Sequence, residues 1–215
     1  MIDRLQQHLS DIYQVGAVHD VRDYLITDPR LAHCIGGASI LSDTRETLLL
    51  SQDEEGLALS LFLDGELLSR LESADPLSRL RAELLDDLWK VLEGLSHFNC
   101  VVWRASQDRC VSLLELELQA EIDKFVGTTL LALGQGRTEM LGHLHGWLFD
   151  DVSFHGDLDE EQLVRYRAAN DYAARFCHAL RDRLVENGGA ALSELRRFFR
   201  LPMTDKISHI HSQAL

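Results

Sequence analysis

The chain reads as an α+β protein: a small antiparallel sheet of four to five strands flanked by helices, followed by a helical C-terminal part. Three observations predict this. The apolar period changes from helical to alternating and back twice before residue 136. Beyond Gly134-Gln135-Gly136-Arg137 no convincing alternating segment follows. Hydrophobic residues make up 46% and charged residues 26%, the composition of a folded globular chain. Residues 1–136 are therefore expected to form an α+β core and 137–215 a helical segment packed on it as one unit. A chain of 215 residues can bury such a core without cross-links.

The elements follow in order. Ile2, Leu5, Leu9 and Ile12 recur at helical spacing, so residues 2–15 predict an amphipathic helix ending near Gly16. Asp28-Pro29 starts a turn or short helix that Gly36-Gly37 stops, and Ala38–Leu41 reads as an extra strand. ETLLLSQ and GLALSLFLD flank Asp53-Glu54-Glu55-Gly56, and Leu57, Leu59, Leu61 and Leu63 alternate, which predicts a hairpin with a four-residue loop. From Gly65 to His97 the spacing of Leu80, Leu84, Leu88, Val91, Leu92 and Leu95 is helical, with Pro76 at the start. HFNCVVWRA and CVSLLELEL then read as two strands joined by a turn at 106–109, and 119–133 as a helix. Thr138 to Asp150 predicts a short helix. Asp157 or Asp159 caps a long one, whose seam of Leu163, Tyr166, Asn170, Ala173, Cys177, Leu180 and Leu184 ends at Asn187-Gly188-Gly189. Leu192, Leu195 and Phe199 give a last helix, broken at Pro202.

Composition removes several function classes. The net charge is −14 and the pI about 5.0. That field repels phosphate backbones and anionic lipid, so neither nucleic acid nor membrane is an expected partner. The N-terminus does not read as a secretory signal, and the apolar run from Phe125 is too short to span a bilayer. Four scattered cysteines without a C-x-x-C pair suggest reduced thiols and a cytoplasmic protein. Cys100 and Cys110 are the one pair a hairpin could bring together.

Histidines and carboxylates supply the candidate chemistry. Glu93/His97 and Glu139/His143 each have i,i+4 spacing, which puts a carboxylate and an imidazole on one helical face. His97, His143 and Glu93 are thus candidate catalytic residues, although helix-stabilising contacts explain the spacing more simply. His143-Leu144-His145 is an H-x-H pair that could share a metal on a strand. On a helix the two rings point about 200° apart, and Met140, Leu144, Trp147 and Leu148 follow helical spacing. No cofactor motif occurs: there is no Walker loop, G-x-G-x-x-G or G-x-S-x-G. Glu115 and Glu117, alternating with leucines, would form the acidic outer face of a strand. Solvation is the simple reading of that face, and contact with a basic partner the functional one.

The element order of residues 1–135 and the acidity are similar to those of the small acidic chaperones of type III secretion. That resemblance implies an acidic α+β domain that binds a client chain. The expected function is accordingly protein binding, adaptor or chaperone-like, with a homodimer through the 159–186 helix as one arrangement. The alternative is a metal-dependent hydrolase or other enzyme using His97 or His143 with nearby carboxylates.

Overall fold

Helix α1 (Ile2–Tyr13) buries the stripe its spacing predicts, Leu5, Leu9 and Ile12, and ends where Gln14 turns left-handed. The computed structural model describes residues 1–16, 19–37, 44–53, 56–150, 152, 156 and 158–213. Among them, nine α-helices and one three-stranded mixed sheet form a fold that is 73% helical. Strand β1 (Leu25–Ile26) follows a short 3₁₀ turn, and α2 (Pro29–Gly36) starts at the Asp28 cap with proline in its first turn. The expected strand at Ala38–Leu41 lies outside the described residues.

The hairpin is β2 (Glu46–Asp53) and β3 (Gly56–Leu63). Its register places Asp53 opposite Gly56, so two residues separate the strands rather than four. β3 is central: it pairs antiparallel with β2 and parallel with β1. Alternation along β3 is only half expressed. Leu61, Phe62 and Leu63 are all buried, because helix α4 (Leu85–Ser106) covers one face and Ala32 of α2 the other, whereas Leu57 near the turn is exposed.

The largest correction concerns residues 85–134. The segments read as strands at 97–105 and 110–118 are helical: α4 runs from Leu85 to Ser106 and α5 from Leu113 to Gly134. Among the described residues the sheet is therefore smaller than four to five strands and not purely antiparallel. The apolar spacing of α4 continues without a break through Leu95, Phe98 and Val101, and the β-branched Val101-Val102 pair is carried by that packing. In α5 the Leu-Glu alternation is no guide to period, because this helix packs against α4, α7 (Glu160–Glu186), α6 (Thr138–Phe149) and α1. It is covered on most sides and buries Glu115 as well as Leu116. Ser112 accepts a hydrogen bond from Glu115 N–H, the Ser-x-x-Glu start signal of a helix. The element order that carries the chaperone resemblance is thus departed from at residue 97, where helix α4 continues in place of a strand.

The predicted helix from Pro76 also begins later. α3 (Gly65–Ala74) ends at left-handed Asp75. Gln135 and Arg137 then clasp the 76–80 turn through hydrogen bonds to Pro76 O, Leu77 O and Leu80 O. Beyond α5 the reading holds well. Asp159 and Gln162 form a reciprocal capping box at the start of α7. Asn187 ends α7 and caps α8 (Gly188–Arg200), and Pro202 separates α8 from α9 (Met203–Ser212). The seam residues Ala173, Cys177, Leu180 and Leu184 are buried inside the chain. Leu5, Phe125, Phe176 and Phe198 belong to one apolar core that runs across residue 137.

Candidate functional site

α5 is the central helix of the fold, yet it buries Glu115, Gln119, Asp123, Lys124, Thr128 and Thr129. Buried ionisable groups cost several kcal/mol each unless paired. Two polar networks take up Glu115, Gln119, Asp123 and Lys124, whereas Thr128 accepts from Trp89 Nε1 at 3.0 Å and Thr129 Oγ1 has no partner among the described residues.

The lower network joins α5 to the C-terminal helices. Tyr13 donates a short hydrogen bond to Asp123, which also accepts from Ser96 Oγ at 2.6 Å and from Gln119 Nε2 at 2.9 Å. Lys206 of α9, with no exposed surface, lies 3.1 Å from Glu115 and 3.4 Å from Gln119 Oε1. Arg104 pairs with Glu115 and donates to Leu201 O at 2.8 Å, which fixes the α8–α9 junction. Burial pushes Asp123 up to about 6 against the lowering effect of its three donors.

The upper network is assembled from β2, α4 and α5. Gly94 lets the sheet approach α4 so closely that a Cβ there would meet Glu46 Cγ at 2.9 Å. One turn on, His97 stands between two carboxylates: Nδ1 is 3.5 Å from Glu46 and Nε2 is 3.6 Å from Glu117. These distances allow charge pairing and are long for hydrogen bonds. Neither His97 Nε2 nor Glu46 Oε1 has a hydrogen-bond partner among the described residues. Burial works against a charged imidazole, but the Glu117 and Glu46 carboxylates outweigh it and raise His97 well above its ordinary value. Beside it, Lys124 lies 2.6 Å from Glu121 and 3.4 Å from Glu93. Burial alone would raise Glu93, yet Lys124, Lys90 and His97 bring it down to about 2. Burial raises both Glu46 and Glu121. Tyr166 of α7 is raised by burial and by the charges of Glu117, Glu93 and Glu46, which places it in the same field. Four carboxylates thus face two buried cations, His97 and Lys124.

Of the residues singled out from sequence, His97, Glu93 and Glu117 come together here. Glu115 does not join them. It belongs to the lower network and is buried, so Glu115 and Glu117 form no exposed acidic face. His143 stacks on Trp147, and Glu139 pairs with Arg137 instead. His145 donates from Nε2 to Ala174 O at 2.9 Å. The helical reading of 138–149 holds, and His143 and His145 have separate surroundings. Among the described residues no three His, Cys, Asp or Glu side chains are placed to hold a metal ion. All four cysteines are free, Cys100 and Cys177 buried and Cys34 and Cys110 exposed. No helix of the described residues is long and apolar enough to cross a membrane.

Glu46 and Lys124 carry no signal in the sequence, and Tyr166 stands out there only as a seam residue of the long helix. A signal was present for part of this site: Glu93/His97 and Glu117/Glu121 are both i,i+4 pairs, and on two neighbouring helices they can face each other. Comparison with protein-family models, curated proteins and solved structures gives no match.

Proposed function

We propose that the chain is an acid–base enzyme in which His97, held between Glu46 and Glu117, transfers the proton. One observation carries this reading. A buried imidazole is oriented by two carboxylates, Glu46 on the Nδ1 side and Glu117 on the Nε2 side, while its Nε2 makes no hydrogen bond among the described residues. That is the arrangement of an oriented general acid. Glu46 acts as a positioning residue that keeps the ring protonated, and Glu117 is the carboxylate able to take a proton from an attacking water. In a hydrolysis the water oxygen bonds the electrophilic atom and its proton passes to Glu117. The leaving group departs with the Nε2 proton. Return of the proton from Glu117 to His97 then restores both groups. The surplus of carboxylates favours a substrate that carries positive charge or N–H donors.

The test is turnover of model esters, phosphoesters, amides and glycosides by the full chain, alongside His97→Gln and Glu117→Gln. Turnover of one class is expected to fall about 100-fold or more in each variant, with the circular dichroism spectrum retained. No turnover of any class, or turnover indifferent to both substitutions, overturns the proposal. The free thiols support a reducing, cytoplasmic setting.

A second reading, partner binding, is favoured by the hairpin. Leu50 and Leu57 are 45% and 42% exposed, and β2 is an outer strand of the described sheet. The occupant that fits is an extended strand of a second copy of the chain. Sedimentation equilibrium should then show a dimer that Leu50→Ser/Leu57→Ser dissociates; a monomeric wild type would discard this reading. On the 159–186 helix, the exposed apolar side chains include Val164 and Val185, while its seam is used internally.

A further inference from the structure

A cleft of about 320 Å³ opens between α6, α7 and α9, on residues outside the upper network. Its floor is apolar, made by Ala174, Ala179 and Ile210. Its polar groups are Arg175, His178, His145 and Gln213. Arg175 is exposed and makes no hydrogen bond or ion pair among the described residues. Its guanidinium is therefore free to take an anion at the edge of the apolar floor. Gln213 borders the cleft, its Nε2 engaged by Glu194 and His209 and not available to a ligand. His145 is held rigidly: Nε2 donates to Ala174 O, and the ring packs edge-on to His178 at 5.5 Å and against Phe149 at 4.9 Å.

We propose that this cleft binds a small amphipathic carboxylate, its head on Arg175 and its hydrocarbon part on Ala174, Ala179 and Ile210. The planar fork of arginine matches a carboxylate in two parallel hydrogen bonds. Free phosphate would satisfy the fork but leave the apolar floor against a hydrated ion. A neutral alcohol would cover the floor but leave the guanidinium unpaired. The volume lies at the small end of ligand sites, which limits the body to a short chain or a single ring. This site is independent of the acid–base proposal and requires none of its residues.

The experiment is a titration of the ¹⁵N-labelled full chain with hexanoate, 1-hexanol and inorganic phosphate, read on backbone amides. Hexanoate should shift amides of α6, α7 and α9 saturably, with hexanol and phosphate each weaker by about tenfold or more, the range of one charge-assisted contact. Arg175→Gln should lose the same factor, and Arg167→Gln, elsewhere on α7, should lose nothing. Ala174→Leu, which fills the floor, should abolish binding while Arg175 remains. Hexanol or phosphate binding as tightly as hexanoate, an unchanged affinity in Arg175→Gln, or no saturable shifts in these helices would each overturn the assignment.

Discussion

Asp123 offers the sharpest quantitative test of how α5 carries buried charge. Burial raises its carboxyl to about 6, although Ser96, Tyr13 and Gln119 all hydrogen-bond it. In the unfolded chain an aspartate titrates near 3.9. Because the folded value is the higher one, the fold binds this proton more tightly. The resulting stabilisation is complete below about pH 3.9 and is lost as the pH rises through about 6. The distance between the two values corresponds to about 3 kcal/mol, of which about 2 kcal/mol falls between pH 4.5 and 7.5.

Asp123→Asn removes this dependence while keeping the size of the side chain and the oxygen that accepts from Tyr13 and Gln119. The amide that replaces one oxygen faces the Ser96 hydroxyl and costs about 1 kcal/mol through the altered hydrogen bond. The variant should therefore match the wild type at pH 4.5 and be more stable by about 2 kcal/mol at pH 7.5. Urea unfolding at both pH values, with equal slopes, gives the two differences. If the two proteins lose stability in parallel across this range, Asp123 does not carry the raised carboxyl and the burial argument fails.

Other expectations follow from the same geometry. By NMR, His97 should remain protonated at neutral pH, and Glu46→Gln or Glu117→Gln should move its titration toward the free value near 6.5. The stabilisation from that charge should be full below about pH 6.5 and decline as pH rises through the folded value. Gly94→Ala should destabilise by about 1–3 kcal/mol, despite alanine's helix preference, because the new Cβ meets Glu46 Cγ at 2.9 Å and Leu61 Cδ1 at 3.0 Å. The same variant should shift the His97 resonances, since it displaces Glu46. Phe176→Ala should cost about 3–5 kcal/mol in chemical denaturation, because that ring is fully buried and stacked on Phe198 at 4.1 Å.

The helical C-terminal part was legible because its signals are local. The Asp159/Gln162 box, the Asn187 stop and the Pro202 break each act within one turn of the residue that encodes them. Over residues 97–118 the apolar period by itself points to the wrong element type. A helix packed on several sides need not be amphipathic, so Leu-Glu alternation in α5 carried no information about its neighbours. The Ser112-x-x-Glu115 start and the unbroken spacing from Leu88 to Val101 were the stronger signals. The candidate site divides in the same way. Glu93 and His97 were legible as a helical pair. The approach of Glu46 depends on the sheet docking at Gly94, a tertiary event with no local signature.

The two networks on α5 differ in a way that bears on which of them works. A buried polar cluster that only holds helices together is expected to satisfy its own groups, since each open donor or acceptor costs about 1–3 kcal/mol. The lower network comes close to this. Tyr13, Ser96, Gln119, Asp123 and Lys206 bond one another, and only Arg104 Nε is left over among the described residues. Above it, Glu46 Oε1, His97 Nε2 and Glu121 Oε2 are all without hydrogen bonds, in a cluster already short of positive charge. Apolar residues of similar size would remove that penalty. Open donors and acceptors brought to one cluster by β2, α4 and α5, Glu46 Oε1, His97 Nε2 and Glu121 Oε2, are the physical support for the proposed acid–base role of His97.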